Sequence, residues 1–527
     1  MSTFIDARRA AELIQDGDTV AISGFGGYGS PEEMILAIKE RFLESRHPRN
    51  IKLVKGVSIG DYVSRGTAQL FENEGLVGTL FTSHVGLEPS TYRMVAENRT
   101  QAYFVPLGTV CHLLRAIAGK KPGILTRTGL FTYADPRLEG GKANEVTRKN
   151  GEDIVQLVQL NGEDCLFYPS FPIHVSIIRG TAADKYGNIS FRGEPILSNC
   201  FEMAAAAHNS GGIVIAQVSR IEEDAEFYAK DVLVPGKIVD YVVLASPENS
   251  EQCFGQPYRA DITGESFSKL PEAEPIPLDL RKVCARRAAL ELVPGDLINL
   301  GIGMPDAVSS VISEEGMSGQ FIFSIEAGSM GGVPLTKVGF GASANPRSIL
   351  SLASTFDLYD GGALNCTVLG AAEIDRFGNV NVSSFNGRCV GPGGFVNISQ
   401  FAQKVCFIGS FTAGKTLCTV GDGKLKIDAS GKIIKFKNKV EQVTFSAAYA
   451  VKNRQTVKYI TERAVFELTE DGIVLTEIAP GLDLKSDILP YMEFVPQISS
   501  ELRLMDDRIF RDALMGLAGA AHGKKAK

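Results

Sequence analysis

Two stretches of this chain repeat one another, and that repetition limits the fold more than any single motif. Residues 17–31 read GDTVAISGFGGYGSP, and residues 295–305 read GDLINLGIGMP. Each is Gly-Asp, a short apolar run, a glycine turn and Gly-x-Pro ahead of a helical pattern. A second pair follows in the same order, GTAADKYGNIS at 180–190 and GAAEIDRFGNVNVS at 370–383. Both contain Asp, two residues, Gly-Asn and a β-branched residue. Two landmarks matched in order point to a duplicated unit. The first copy spends about twice the sequence between its landmarks, so it carries an insertion over roughly residues 90–170.

Short apolar runs bounded by glycine recur at 19–22, 51–54, 213–218, 241–244, 297–300 and 321–325. Helical patterns such as 31–42 and 279–292 lie between them. That alternation predicts an α/β protein with buried, mostly parallel sheets. The region 256–278 holds Pro257, Pro271, Pro275 and Pro277 among acidic residues, which reads as a linker. The expectation is two related open α/β domains joined by this Pro-rich segment, at 1–255 and 279–516. Residues 517–527, with Lys524, Lys525 and Lys527, read as a frayed tail.

Composition removes several function classes. A formal net charge of −7 over 527 residues lacks the basic footprint of a nucleic-acid binder. The 9 cysteines are odd in number, scattered and without a C-x-x-C pair, which suits reduced thiols in a cytoplasmic protein. MSTFIDARRAAELIQDGD lacks the apolar core of a signal peptide, and no uninterrupted apolar run reaches spanning length, so no membrane partner is expected. The six histidines are His47, His84, His112, His174, His208 and His522. Residues 209–521 contain none, so chemistry there must rest on carboxylates, Lys, Arg, Ser, Cys or backbone groups. No metal site is expected.

Gly24, Gly26 and Gly29 satisfy the dinucleotide pattern G-x-G-x-x-G between an apolar run and a helical one. Ser30, Pro31 and Glu33 supply an N-cap, a first-turn proline and a capping-box acid. The next requirement fails: a carboxylate should end the following strand to hold the ribose, and Lys55-Gly56 stands there. The second copy reads Gly301, Gly303, Asp306, without the third glycine. A tight strand-to-helix turn without a ligand is the plain alternative.

In the second copy the run 321–325 is followed by Glu326-Ala327-Gly328-Ser329-Met330-Gly331-Gly332. The C-terminal ends of strands are where α/β sheets present ligands. Glycines there expose backbone N–H groups and admit a bulky substrate. Gly391-Pro392-Gly393-Gly394 forms a second loop able to cradle a developing oxyanion. A lone Glu at a strand end is ordinarily a solvated or capping acid, and glycine loops ordinarily mark turns. Their joint occurrence in a histidine-free half sets nucleophilic chemistry by Glu326 beside that reading.

These residues together resemble the class I (family I) coenzyme A transferases, in the single-chain form typified by acetate and propionate CoA-transferases. DGDTVAISGFGGYGSP resembles the family's first signature, departing at Ser23 where a glycine is usual. LINLGIGMP resembles the opening of the second half, and EAGSMGG resembles the E-x-G-x-x-G loop. Ser324-Ile325-Glu326-Ala327-Gly328 departs from the S-E-N-G of the ketoacid branch, as the propionate-type branch does. LTRTGLFTYADPRLEGGKAN, STFDLYDGG and YITERAVFELTEDGIVLTEIAPGLDL are similar to that branch as well.

The resemblance implies transfer of CoA from acetyl-, propionyl-, butyryl- or acetoacetyl-CoA to a short-chain carboxylate. It implies ping-pong chemistry through a thioester on Glu326, with CoA as substrate and covalent intermediate and no tightly bound cofactor. Acyl-CoA and short-chain carboxylic acids are the implied partners, and a homo-oligomer the implied assembly. Gly303, Gly393 and Gly394 are candidate oxyanion residues. Gly328, Gly331, Asn345 and Lys415 are candidates for substrate or CoA binding. Asn345 reads equally as a loop cap, Arg347 shares that ambiguity, and Lys415 as a solvated lysine. Tyr133, Asp135, Arg137 and Lys142 wall an acyl pocket or anchor a loop through ion pairs. An acyl-CoA hydrolase on the same fold is the nearest alternative, followed by a dinucleotide-dependent oxidoreductase.

Overall fold

A computed structural model describes residues 2–222, 227–269, 275–385 and 387–518. Pro271 of the expected linker and the Lys-rich tail from residue 519 lie outside the described residues. The chain divides into two compact units. The first comprises Met1–Ser268, Ile325–Asp357 and Gly387–Asn397. The second comprises Lys269–Ser324, Leu358–Asn386 and Ile398–Lys527. The units are interleaved along the chain, where the sequence suggested consecutive blocks at 1–255 and 279–516.

The first unit is built on strands β1 (Thr3–Phe4), β2 (Thr19–Ile22), β3 (Ile51–Val54), β4 (Val77–Thr82), β5 (Gln101–Phe104), β6 (Val175–Asp184), β7 (Ile213–Glu222) and β8 (Tyr241–Leu244). Their order is β1-β8-β7-β6-β2-β3-β4-β5, and every pairing along it is parallel. Parallel strands need both faces covered, and every residue of β2 and β6 is buried. β7 runs beyond Val218 to Glu222 because it stays paired with β6 as far as Asp184. The insertion adds a separate antiparallel sheet of Gly123–Thr126, Glu163–Pro169 and Gln156–Leu160.

Helix α1 spans Glu32–Ser45, and its N-cap is Pro31 rather than Ser30. Glu33 does not close a capping box. Its carboxylate accepts from Ser246 N (3.1 Å), Ser246 Oγ (2.8 Å) and Asn249 Nδ2 (2.9 Å), and these tertiary donors displace the local one.

The second unit carries β9 (Leu297–Leu300), β10 (Ile322–Ser324), β11 (Cys366–Gly370), β12 (Lys404–Ile408), β13 (Thr456–Ile460), β14 (Ala464–Thr469), β15 (Gly472–Ile478) and β16 (Gln497–Leu504). The order β10-β9-β11-β12-β13-β14-β15-β16 is parallel except where β14 meets β13 and β15. No helix among the described residues is long and apolar enough to cross a membrane.

The duplication is visible bond by bond. Thr19 N donates to His174 Nδ1 (2.9 Å), and Leu297 N to Asn365 Oδ1 (2.9 Å). Asp184 Oδ1 accepts from Tyr186 N and Asn188 N (both 2.9 Å), as Asp375 Oδ1 accepts from Phe377 N (3.0 Å) and Asn379 N (2.9 Å). The repeated Asp-x-x-Gly-Asn is therefore one Asx-closed turn used twice.

In the second unit Glu291 gathers Arg287 (2.9 Å), Lys458 (2.9 Å) and Lys404 (3.4 Å). Burial pushes its carboxyl up, but Arg287 and Lys458 outweigh burial and hold it at about 2. A depressed carboxylate stabilises the fold above its ordinary range and loses that contribution as pH falls from about 5 towards 2. Glu291→Gln should lower stability at pH 7 by about 3 kcal/mol. The gap from wild type should close on acidification, which melting curves at pH 7 and pH 3 will measure.

Candidate functional site

Glu326 occupies a tight turn directly after β10. Gly328 N donates to Ile325 O (2.9 Å) and Ile325 N to Ser329 O (2.9 Å), so Glu326 and Ala327 are the two central residues. Glu326 is only 9% exposed and Ala327 is fully buried. Gly328 has φ +127°, and a Cβ there would lie 2.1 Å from Leu350 O. Only glycine closes this turn, because the returning strand Ser348–Ile349 passes against it on its way to Leu350. A carboxylate set in such a turn has little freedom and little water, which suits a nucleophile.

The loop Gly391–Gly394 belongs to the same unit as Glu326. Val85 N donates to Val390 O (2.8 Å), Gly393 N to Ser83 O (3.0 Å) and Leu107 N to Gly393 O (3.2 Å). Gly391 has φ +78°, and a Cβ there would sit 2.3 Å from Ser83 O. The N–H of Gly393, an oxyanion candidate, is thus engaged with Ser83. Among the described residues the N–H groups of Gly391 and Gly394 have no hydrogen-bond partner.

The first glycine turn, which imitates a dinucleotide fingerprint, is occupied by the protein itself. Gly26 N donates to Ser58 O (2.8 Å) and Gly26 O accepts from Gly60 N (3.0 Å). Tyr28 Oη donates to Gly339 O (3.1 Å), Cys253 Sγ to Val338 O (3.4 Å), and the rings of Phe25 and Phe340 lie 6.2 Å apart. Segment 338–341 is the tip of the hairpin Val333–Pro334/Ser343–Ala344, which continues from the Glu326 turn. Helix α1 opens with Glu32 and Glu33, a poor N-terminus for a pyrophosphate. The turn is a seat for the Glu326 hairpin.

The duplication also identifies Glu326's counterpart. Thr19 pairs with Lys52, and Leu297 with Ile322, so Gly56 is equivalent to Glu326 and Lys55 to Ile325. Gly56 O accepts from Ser83 N (3.1 Å) and Ser83 Oγ (2.6 Å). Lys55 is fully buried and ion-paired with Glu88. One copy presents an acid at this position, and the other has closed it with protein.

Gly328, Gly331 and Asn345 fold around the Glu326 hairpin, in the unit that also holds Gly393 and Gly394. Asn345 is committed to structure: Oδ1 accepts from Ser268 N (3.0 Å) and Nδ2 donates to Ser268 O (2.8 Å). Arg347 is exposed, and its N–H donates to Met330 O (2.8 Å). Gly303 and Lys415 belong to the other unit, where Gly303 O accepts from Arg281 (3.2 Å) and Lys415 is exposed.

In the insertion, Asp135 pairs with Arg137 (2.7 Å), Arg137 with Asp164 (2.8 Å) and Lys142 with Asp153 (2.6 Å), which is loop anchoring. Tyr133 is buried, and its hydroxyl has no hydrogen-bond partner among the described residues.

His84 escaped sequence reasoning, because it comes from the first half. A Cβ on Gly393 would lie 3.8 Å from its Cβ. Burial, with Lys55 nearby, holds its imidazole below the usual range, and Nδ1 accepts from Gly86 N (3.3 Å). Among the described residues no group of three or more His, Cys, Asp or Glu side chains could hold a metal ion.

Known proteins resemble this chain over nearly its whole length. The family described as Coenzyme A transferase matches residues 5–245. The chain is 44% identical to caffeate CoA-transferase of Acetobacterium woodii, over 98% of this chain and 99% of the relative. It is 40% identical to acetate CoA-transferase YdiF of Escherichia coli O157:H7, over 98% and 97% of the two chains. The crystal structure of the E. coli O157:H7 acyl-CoA transferase YdiF, a thioester complex with CoA, superposes with a TM-score of 0.91 at 38% identity, covering 98% and 97% of the chains. This chain therefore belongs to the coenzyme A transferase family, as a class I transferase of the single-chain type.

Proposed function

We propose that this transferase moves CoA from a short-chain acyl-CoA to a short-chain carboxylate, with Glu326 as nucleophile. The observation that carries the reading is the buried Glu326 turn, in the unit that also presents the Gly391–Gly394 amides. A relative solved as a thioester with CoA supports a covalent CoA stage. The nine cysteines are free thiols, which supports a cytoplasmic setting. The resemblance to class I transferases supports a homo-oligomer.

In the first step a Glu326 carboxylate oxygen attacks the thioester carbonyl. The C–S bond breaks, CoA leaves as thiolate, and a mixed anhydride remains. The thiolate then attacks the Glu326 side-chain carbonyl, the anhydride C–O bond breaks, and the first acid departs as carboxylate. An incoming carboxylate runs the two steps in reverse and regenerates Glu326. No net proton moves. Each tetrahedral oxyanion needs amide donors, and Gly394 N–H is the candidate in the loop. One such donor is worth about 3–4 kcal/mol of barrier. Burial of Glu326 keeps water from the anhydride and the thioester.

Intact-protein mass spectrometry after addition of acetyl-CoA or propionyl-CoA should reveal a CoA-sized adduct mapping to Glu326. The adduct should be absent in Glu326→Ala, with turnover lost by at least about a thousandfold. Turnover without an adduct would overturn the covalent route. Steady turnover should require an added carboxylate, chosen from acetate, propionate, butyrate and caffeate. Release of free CoA at the same rate without one would make the enzyme a hydrolase instead.

Gly391→Ala should strain the loop by about 1–3 kcal/mol and lower kcat by roughly tenfold to a hundredfold. Glu326 burial would be unchanged, so the adduct should still form, only more slowly. Rapid-quench mass spectrometry measures this directly.

A further inference from the structure

We propose that the buried Lys55–Glu88 pair is a positioning pair for transfer, holding segment 83–87, on which the Gly391–Gly394 loop rests, against segment 56–60, which bonds the Gly26 turn. The inference rests on the transferase reading above. Both side chains are fully buried, and neither belongs to the Glu326 turn or to the glycine loop.

Their bonds tie together the segments after β3 and β4. Lys55 Nζ donates to Glu88 Oε1 and to Thr67 Oγ1 (2.9 Å). Glu88 Oε1 also accepts from Ile59 N (2.7 Å), and Oε2 accepts from Thr91 Oγ1 (2.7 Å). Lys55 N donates to Phe81 O (3.1 Å), and Glu88 N to Val85 O (3.0 Å). The pair thus locks segment 56–60 against segment 83–87.

Those two segments hold both glycine elements of the site. Segment 56–60 carries Ser58 O and Gly60 N, the two bonds to Gly26. Segment 83–87 carries Ser83 O, which receives Gly393 N, and Val85 N, which donates to Val390 O. Ser83 is itself fixed on Gly56 O through its N–H and Oγ. A shift of the pair moves Gly56, then Ser83, then Gly393, and so the direction of the Gly394 N–H.

A stability role alone would be a weak reason for this pair. Replacing a buried ion pair by apolar residues of similar size is often neutral or stabilising, whereas removing one partner leaves a charge unpaired. Moreover, Lys55 stands beside Gly56, the counterpart of Glu326, so the pair lies next to the equivalent position in the copy without an acid.

The test compares wild type with Glu88→Gln, Lys55→Arg and the double variant Lys55→Met/Glu88→Met, which leaves no unpaired charge. Circular dichroism and melting establish the folded fraction. Rapid-quench mass spectrometry gives the rate of CoA-adduct formation, and steady-state kinetics give kcat and KM for the acyl-CoA. The folded double variant should form the adduct at least about tenfold more slowly, with KM within about threefold of wild type. Lys55→Arg, which keeps the charge pair, should recover part of the rate. Adduct formation within about twofold of wild type, after correction for folded fraction, would overturn the proposal. Failure of both the double variant and Glu88→Gln to fold would also overturn it, since the pair would then serve stability rather than placement. Absence of an adduct in the wild type would instead sink the transferase mechanism.

Discussion

Gly26 is bonded through both of its backbone groups, to Ser58 O through its N–H and to Gly60 N through its carbonyl, and both glycine elements are tied to that join. On one side of it the Glu326 hairpin is seated through Tyr28, Cys253 and Phe25. On the other, segment 83–87 receives the Gly391–Gly394 loop. Residues more than three hundred positions apart thereby share one frame. Backbone-to-backbone bonds suit this task, because they lack the rotamer freedom that would blur the placement of an attacking atom.

Much of this was legible in the sequence. The repeated Gly-Asp and Asp-x-x-Gly-Asn landmarks correspond to the same hydrogen bonds in each copy, because a local turn needs its residues in order and in place. The apolar runs at 19–22, 51–54, 241–244 and 297–300 are strands as written. Glu326 stands out as a candidate because an acid after an apolar run and before three glycines has a local signature. What was not legible depends on contacts distant in sequence. Helix α1 starts one residue later than the pattern suggests, and Glu33 bonds Ser246 and Asn249 instead of closing a capping box. Asn345 reads equally as a ligand residue or a loop cap in the sequence, and its bonds to Ser268 are those of a loop cap. Gly393 looked like an oxyanion donor until Ser83 took its N–H. The interleaving of the two units has no local pattern at all.

The two copies have diverged in a physically coherent way. In the first, the position equivalent to Glu326 is Gly56, whose carbonyl takes two bonds from Ser83. The neighbouring Lys55 turns inward to Glu88, and the charge is neutralised within the fold. Duplication supplied two strand ends suited to a ligand. One keeps a carboxylate in a glycine-closed turn, and the other spends its polar groups on holding loops. A chain that kept an acid at both ends would carry a second dehydrated carboxylate, with its desolvation cost and no reaction to offset it.

The glycine loops and the histidine-free stretch 209–521 fit one reading of the chemistry. In the proposed sequence every bond change exchanges a carboxylate for a thiolate or a thiolate for a carboxylate, so no proton has to be delivered or removed. A general base has nothing to do, and a protonated one would quench the thiolate. The demand is for N–H dipoles that stabilise an oxyanion without donating a proton, which is what amides in glycine loops supply. His84 fits the same constraint. Burial and Lys55 keep its imidazole below the usual range, so a residue able to act as an acid beside Gly393 is kept neutral at physiological pH. In the proposed mechanism a buried carboxylate replaces acid–base groups, so keeping water from the acyl intermediates is the demand that falls on the fold around Glu326.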